Sequence, residues 1–79
     1  MDNVRERLIG CFLLVFPQLD RSRVENASVD NVQQWDSVAQ VNLLTLIGEE
    51  FGLEIDYEEF EGATSFEALA ARLSELIQV

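Results

Sequence analysis

The chain contains no histidine and no lysine, which removes the side chains that most often take a proton from a nucleophilic hydroxyl near neutral pH. A Ser-His or Ser-Lys catalytic pair is therefore impossible within these 79 residues. A single cysteine permits no internal disulfide and fits a reducing cytoplasm. No Cys/His metal cluster, glycine-rich phosphate loop or nucleophile-elbow sequence is present. Internal repeats, low-complexity tracts and domain linkers are also missing. These absences argue against an enzyme and leave a small domain that acts by position and recognition.

What the chain has in excess is negative charge. Fifteen Asp and Glu face five basic residues, all arginine, for a formal charge of −10. Such a surface repels nucleic acid and anionic membrane and steers association toward basic partners. Seven of the acids fall between Glu49 and Glu61 with no base among them, so the second half carries a concentrated field. Asp56, Glu58, Glu59 and Glu61 lack the glycine-centred alternation of a calcium loop, and no metal site is expected there. Hydrophobic residues make up 48% of the sequence, enough for one core and one domain over residues 1–79.

The first apolar stretch superficially resembles a secretion signal, with Arg5 and Arg7 ahead of Leu8 to Phe16 and Cys11 within it. Its apolar residues mostly follow Cys11, it is too short to span a bilayer, and Asp2 and Glu6 spoil the basic end. A core helix from about residue 2 or 3 to Phe16, stopped by Pro17, is the expectation. Val4, Leu8, Phe12 and Val15 form its stripe, widened by Ile9, Leu13 and Phe16. Cys11 reads as a buried structural thiol, and Gly10 as a mark of close helix packing. Residues 17–35 read as a long polar loop pinned to the core by Val24, Val29 and Val32.

Asp36 is placed to cap a second helix running from Ser37 to Phe51 and closed by Gly52 in a left-handed C-cap. With Ile47 at the centre of the buried face, Gln40, Leu43, Leu44 and Phe51 share that face. Val38, Val41, Asn42, Thr45 and Glu49 fall opposite, on the face that begins at Ser37. Asp56 and Glu59 read as a capping box for a short third helix, Tyr57 to Glu61, with Tyr57 and Phe60 inward and Gly62 at its end. Thr64 and Glu67 read as another box, opening a last helix from Ser65 to about Ile77. Phe66, Leu69, Ala70, Leu73, Leu76 and Ile77 are its buried stripe. Ala63, Ala68 and Ala71 permit either close helix packing or room for an apolar chain.

Trp35-Asp36-Ser37-Val38, followed by Leu43, Leu44, Ile47, Glu49-Glu50-Phe51-Gly52 and Ile55, resembles the Asp-Ser-Leu region of acyl carrier proteins. The likeness in length, acidity and helix order covers nearly the whole chain and is weakest before residue 24. Val38 departs from the family, which usually has Leu or another long apolar residue there, and Trp35 is more similar to stand-alone, specialised carriers than to the fatty-acid type. The resemblance implies an all-α fold, a four-helix bundle of acyl-carrier type with three longer helices, a short third one and a long first loop. It also implies that Ser37 carries 4'-phosphopantetheine, attached from coenzyme A by a phosphopantetheinyl transferase, and that acyl groups ride on its thiol as thioesters.

Acyl-loading and acyl-processing enzymes with basic patches would then dock on Asp36, Val38, Val41, Asn42, Thr45 and Glu49. A cytoplasmic monomer, not itself an enzyme, with no nucleic-acid partner and no membrane insertion, is the expected form. An aminoacyl or peptidyl carrier, and an unmodified helical adaptor, are the alternatives.

Overall fold

A helix of 11 to 15 residues is marginal in water unless an apolar face is buried, and here three such helices bury theirs against one another. The computed structural model describes residues 3–77. The fold is all-α, and among the described residues there is no strand. Helix α1 spans Asn3–Val15, α2 spans Ser37–Phe51 and α3 spans Phe66–Leu76, with a 3-10 helix over Arg21–Asn26 between the first two. No helix among the described residues is long and apolar enough to cross a membrane.

Helix α1 ends before Pro17, whose ring disfavours helical backbone at the preceding residue. Leu8, Ile9, Cys11 and Phe12 are buried along it, and Phe16 just beyond, while Val4, Leu13 and Val15 are half-buried. Burial pushes the Cys11 thiol up to about 11, aided by Glu50 and opposed by Arg7. The tight helix contact expected at Gly10 does not form, because a Cβ built there meets nothing within 4 Å.

The segment after Pro17 is more ordered than its polar sequence suggests. Asp20 caps the 3-10 helix by accepting a bond from the Ser22 N–H, and Val24 is fully buried beneath it. Val32 is buried too, but Val29 is 39% exposed, so its side chain is not the expected pin. Its backbone does that work instead. The Val29 N–H donates to the Thr64 carbonyl at 3.0 Å and the Phe66 N–H to the Ala27 carbonyl at 2.9 Å, an isolated antiparallel bridge between Ser28 and Ser65.

That bridge explains why α3 starts one residue late. It holds the chain extended through Ser65 (φ −150°, ψ 160°), so Ser65, and not Thr64, is the N-cap and accepts from the Ala68 N–H at 3.1 Å. Glu67 is drawn to Arg5, at 2.6 Å, instead of closing a capping box. Phe66, Leu69, Ala70 and Leu73 are buried, whereas Leu76 is 45% exposed, one turn beyond the packed part of the stripe. Ala63 is buried, Ala68 half-buried and Ala71 exposed, so these alanines do not line a common space between helices.

The short helix expected over Tyr57 to Glu61 is a run of turns. Glu59 N–H bonds Asp56 O at 3.0 Å and Glu61 N–H bonds Glu58 O at 3.3 Å, both with i to i+3 spacing. Asp56 Oδ1 accepts from the Glu58 N–H and not in a box with Glu59. Five residues rich in like charge cannot offset the cost of nucleating an α-helix. Phe60 anchors the run in the core at 0% exposure, as expected, but Tyr57 is 44% exposed and faces out.

Glycine matters at two places around the end of α2. Gly52 has φ 64°, the left-handed conformation that favours glycine, and its N–H bonds the Gly48 carbonyl. At Gly48 a Cβ would lie 3.1 Å from the Leu53 carbonyl oxygen and 3.2 Å from Ile55 Cγ1, so the returning chain needs the bare backbone.

Ion pairs tie the elements together from the α1 side. Arg5 reaches Glu25 at 2.9 Å and Glu67 at 2.6 Å, joining α1, the 3-10 helix and α3, and its guanidinium lies 5.2 Å from the Phe66 ring centroid. Arg7 bonds Glu50 through its side chain and carbonyl and sits 4.4 Å over Phe51, and Arg21 pairs with Glu6. Pairs this exposed are screened by solvent and add little to stability.

Two measurements check this account. With no neighbour to strike, Gly10→Ala should raise stability by about 0.5–1 kcal/mol in urea unfolding; a loss would mean that the site is packed after all. The Arg5 hydrogen bond holds the Glu67 carboxyl below its ordinary value of 4.5. The stability this contributes is therefore present above the unfolded value and lost as pH falls through the lower folded value. Glu67→Gln should lose stability relative to wild type at neutral pH, and the difference should shrink as pH drops below about 4.5; a gap independent of pH would rule out the linkage.

Candidate functional site

Ser37 opens α2, and its position is fixed from both sides. On the solvent side, the Asp36 carboxylate caps the helix by accepting from the Ala39 N–H at 2.9 Å, and the Asp36 backbone is extended (φ −108°, ψ −170°). A cap of this kind contributes about 1 kcal/mol. Ser37 itself is exposed, and the first N–H groups of α2 have no acceptor within the helix. An anionic ester on its hydroxyl would therefore meet backbone donors and the positive end of the helix dipole.

On the core side, Trp35 is the anchor. It is 5% exposed and meets Phe12 edge-on, with centroids 5.3 Å apart and planes at 80°, and Phe16 at 5.8 Å. Phe66 joins the cluster through Phe12, at 5.4 Å. The indole N–H donates to Gln40 Oε1 at 2.6 Å, and Gln40 Nε2 lies 3.3 Å from both the Phe60 and Ala63 carbonyls. Gln40 thus falls on the buried face as expected, but as a bridge that joins the Trp35 ring and the 60–63 turns to α2.

Beside Ser37 lies a cleft of about 540 Å³. Ser37, Gln40, Val41 and Leu44 form its α2 side, and Tyr57, Glu58, Glu61 and Thr64 its other side. Trp35 and Val29 complete the lining, with Asp36 at the edge. Three carboxylates therefore share a cleft that sequence spacing did not disclose. Val29, Tyr57 and Thr64 were not expected at a site either, because the turns and the Ser28–Ser65 bridge that bring them there have no periodic signal. Charged residues near the serine were the only available hint.

The face expected to meet partners is brought together on one side of α2. Asp36, Val38, Val41, Asn42, Thr45 and Glu49 are all exposed, Val38 by 68% and Val41 by 47%. The buried side holds Leu43, Leu44 and Ile47, with Ala39 joining them at 8% exposure. Among the described residues, Asp36, Glu49, Glu54, Asp56, Glu58, Glu59 and Glu61 have no arginine within ion-pair distance. Arg5, Arg7 and Arg21 are spent on Glu25, Glu67, Glu50 and Glu6, while Arg72 pairs with Glu75 and donates to the Glu59 carbonyl. The lining of the cleft thus carries one sign of charge, beside exposed valines.

No protein family, curated protein or solved structure matches this chain. Its functional reading rests on its own residues.

The Trp35–Gln40 bridge can be tested directly. Gln40→Ala strands a buried indole N–H, which should cost about 1–3 kcal/mol in urea unfolding and alter the near-ultraviolet signal of the single tryptophan. An unchanged midpoint and spectrum would show that the bridge carries no weight.

Proposed function

We propose that this protein is an acyl carrier: Ser37 takes a 4'-phosphopantetheine arm from coenzyme A and presents thioester-bound acyl groups to partner enzymes. The observation that carries the reading is an exposed serine in the first turn of a capped helix, next to a cleft with Val41, Leu44 and Trp35 in its lining. The all-α arrangement and the resemblance of the Trp35-Asp36-Ser37-Val38 region to acyl carrier proteins support it.

The residues present suit such a group. Ser37 is exposed, where a second enzyme can reach it, and the adjacent backbone N–H groups favour a phosphodiester charge. When attached, the arm supplies a thiol that holds carboxylic acids as thioesters. In the transfer, Ser37 Oγ bonds to the phosphorus of coenzyme A nearest the pantetheine, the pyrophosphate P–O bond breaks, and adenosine 3',5'-bisphosphate leaves. The hydroxyl proton goes to a base on the transferase, since this chain offers no histidine or lysine and Asp36 is occupied as the cap.

Recognition falls to the exposed side of α2. Val38 and Val41 offer a small apolar footprint, Asn42 and Thr45 polar contacts, and Asp36 and Glu49 charge for a basic patch. The unpaired acids from Glu54 to Glu61 extend that field past the cleft and favour fast encounter with basic enzymes at low salt.

Incubation with coenzyme A and a broad-specificity phosphopantetheinyl transferase should add one arm by intact mass. Ser37→Ala should remove the addition while leaving the helical circular dichroism intact, because Asp36 and not Ser37 caps α2. A folded wild-type chain that stays unmodified, or a Ser37→Ala variant that is still modified, would refute the carrier reading. The first result would favour an unmodified adaptor that docks through the same valines.

A further inference from the structure

A second hollow, of about 300 Å³, lies farther along α2, between Thr45, Gly48 and Glu49 on the helix and Leu53, Glu54 and Ile55 on the returning chain. Leu44 and Tyr57 line both this hollow and the cleft beside Ser37. The two hollows meet at these two residues, Leu44 buried in α2 and the exposed Tyr57, whose hydroxyl lies 2.9 Å from Thr45 Oγ1. The Thr45 hydroxyl proton is committed to the Val41 carbonyl, also at 2.9 Å, so the Tyr57 O–H is the donor. The exposed ring is thereby tied across to α2 from a segment made only of turns.

We propose that Tyr57 is a specificity-determining residue that sets how far along α2 a straight-chain acyl cargo can lie. With the tyrosine tied to Thr45, a chain entering beside Ser37 runs along Val41 and stops at Leu44, seven residues or about 10 Å down the helix axis. With the partition removed, the two hollows form one groove that reaches Gly48, eleven residues or about 16 Å from Ser37. The far hollow suits the distal part of an alkyl chain, because Leu53 and Ile55 supply half-buried apolar walls beside Leu44. Tyr57 is suited to act as a partition and not as a core residue: it is 44% exposed, while Phe60 anchors the same turns in the core. Its removal therefore opens the groove without emptying the core.

This inference rests on the carrier reading above, and one experiment separates the two. Wild type, Tyr57→Ala and Tyr57→Phe are loaded by the transferase with butyryl-, octanoyl- or tetradecanoyl-coenzyme A. Loading is followed by intact mass, and the unfolding midpoint of each loaded form is compared with that of the same protein carrying the bare thiol arm. In wild type the midpoint should rise from butyryl to octanoyl, by about 4 °C or more, with no further gain for tetradecanoyl. In Tyr57→Ala the rise should continue through tetradecanoyl. Tyr57→Phe, which keeps the ring and the fold but loses the tie to Thr45, should relax the limit in part. Loading with the same chain-length profile in all three proteins overturns the role of Tyr57 and leaves the carrier reading standing. Absence of any mass addition to the folded wild type overturns both.

Discussion

The burial of Trp35 is the constraint on which the rest of the site depends. Its ring packs against Phe12 on α1 and Phe16 just beyond it, and its N–H, which cannot be left bare in that setting, reaches Gln40. Gln40 then passes the connection to the carbonyls of Phe60 and Ala63. One residue therefore fixes where the chain leaves the core, where α2 begins and how the 57–64 turns lie against it. Asp36 and Ser37 follow directly in sequence, so the position of the hydroxyl is set by an aromatic contact two residues earlier. A serine on a frayed helix end would have no comparable definition.

Charge is sorted by the same packing. Arg5, Arg7 and Arg21 are drawn over Phe66 and Phe51 or across to acids on neighbouring elements, and the first two link α1 to the other two α-helices. The acids of residues 54–61 have no such partners among the described residues. A net charge of −10 is thus not spread evenly: the α1 side is largely neutralised in pairs, and the cleft side is left negative. Self-repulsion there works against folding, and helps explain why residues 57–62 form turns and not a helix. The field and the exposed valines are available to a partner because the fold has no internal use for them.

On the carrier reading proposed above, the chemistry of the site would be divided between this chain and others. A side-chain set without histidine or lysine has little capacity for proton transfer at neutral pH. It does supply a defined tether point, a helix terminus that tolerates phosphate charge, and an adjacent cleft with apolar and acidic lining. Those are the properties wanted of a protein that is handed between enzymes, where the catalytic groups belong to the partner.

Most of the helical frame was legible in the sequence because its signals are local. Asp36, Gly52 and Pro17 punctuate the first two α-helices by cap and backbone chemistry, and a 3.6-residue repeat marks Leu8, Phe12, Leu43, Ile47, Leu69 and Leu73 for burial. The exposed serine at the start of α2 was legible for the same reason. What only the tertiary structure decided are features made by residues far apart in the chain. The Ser28–Ser65 bridge moved the α3 cap from Thr64 to Ser65, Arg5 took Glu67 away from its capping box, and the turns at 56–62 replaced a helix and swung Tyr57 outward. The cleft belongs to this second class, since its sides are α2 and a segment up to 27 positions later, from Ser37 to Thr64. Periodicity reports which face of one helix is buried; it carries no information on what a non-helical segment, held by backbone bonds to another loop, brings alongside it.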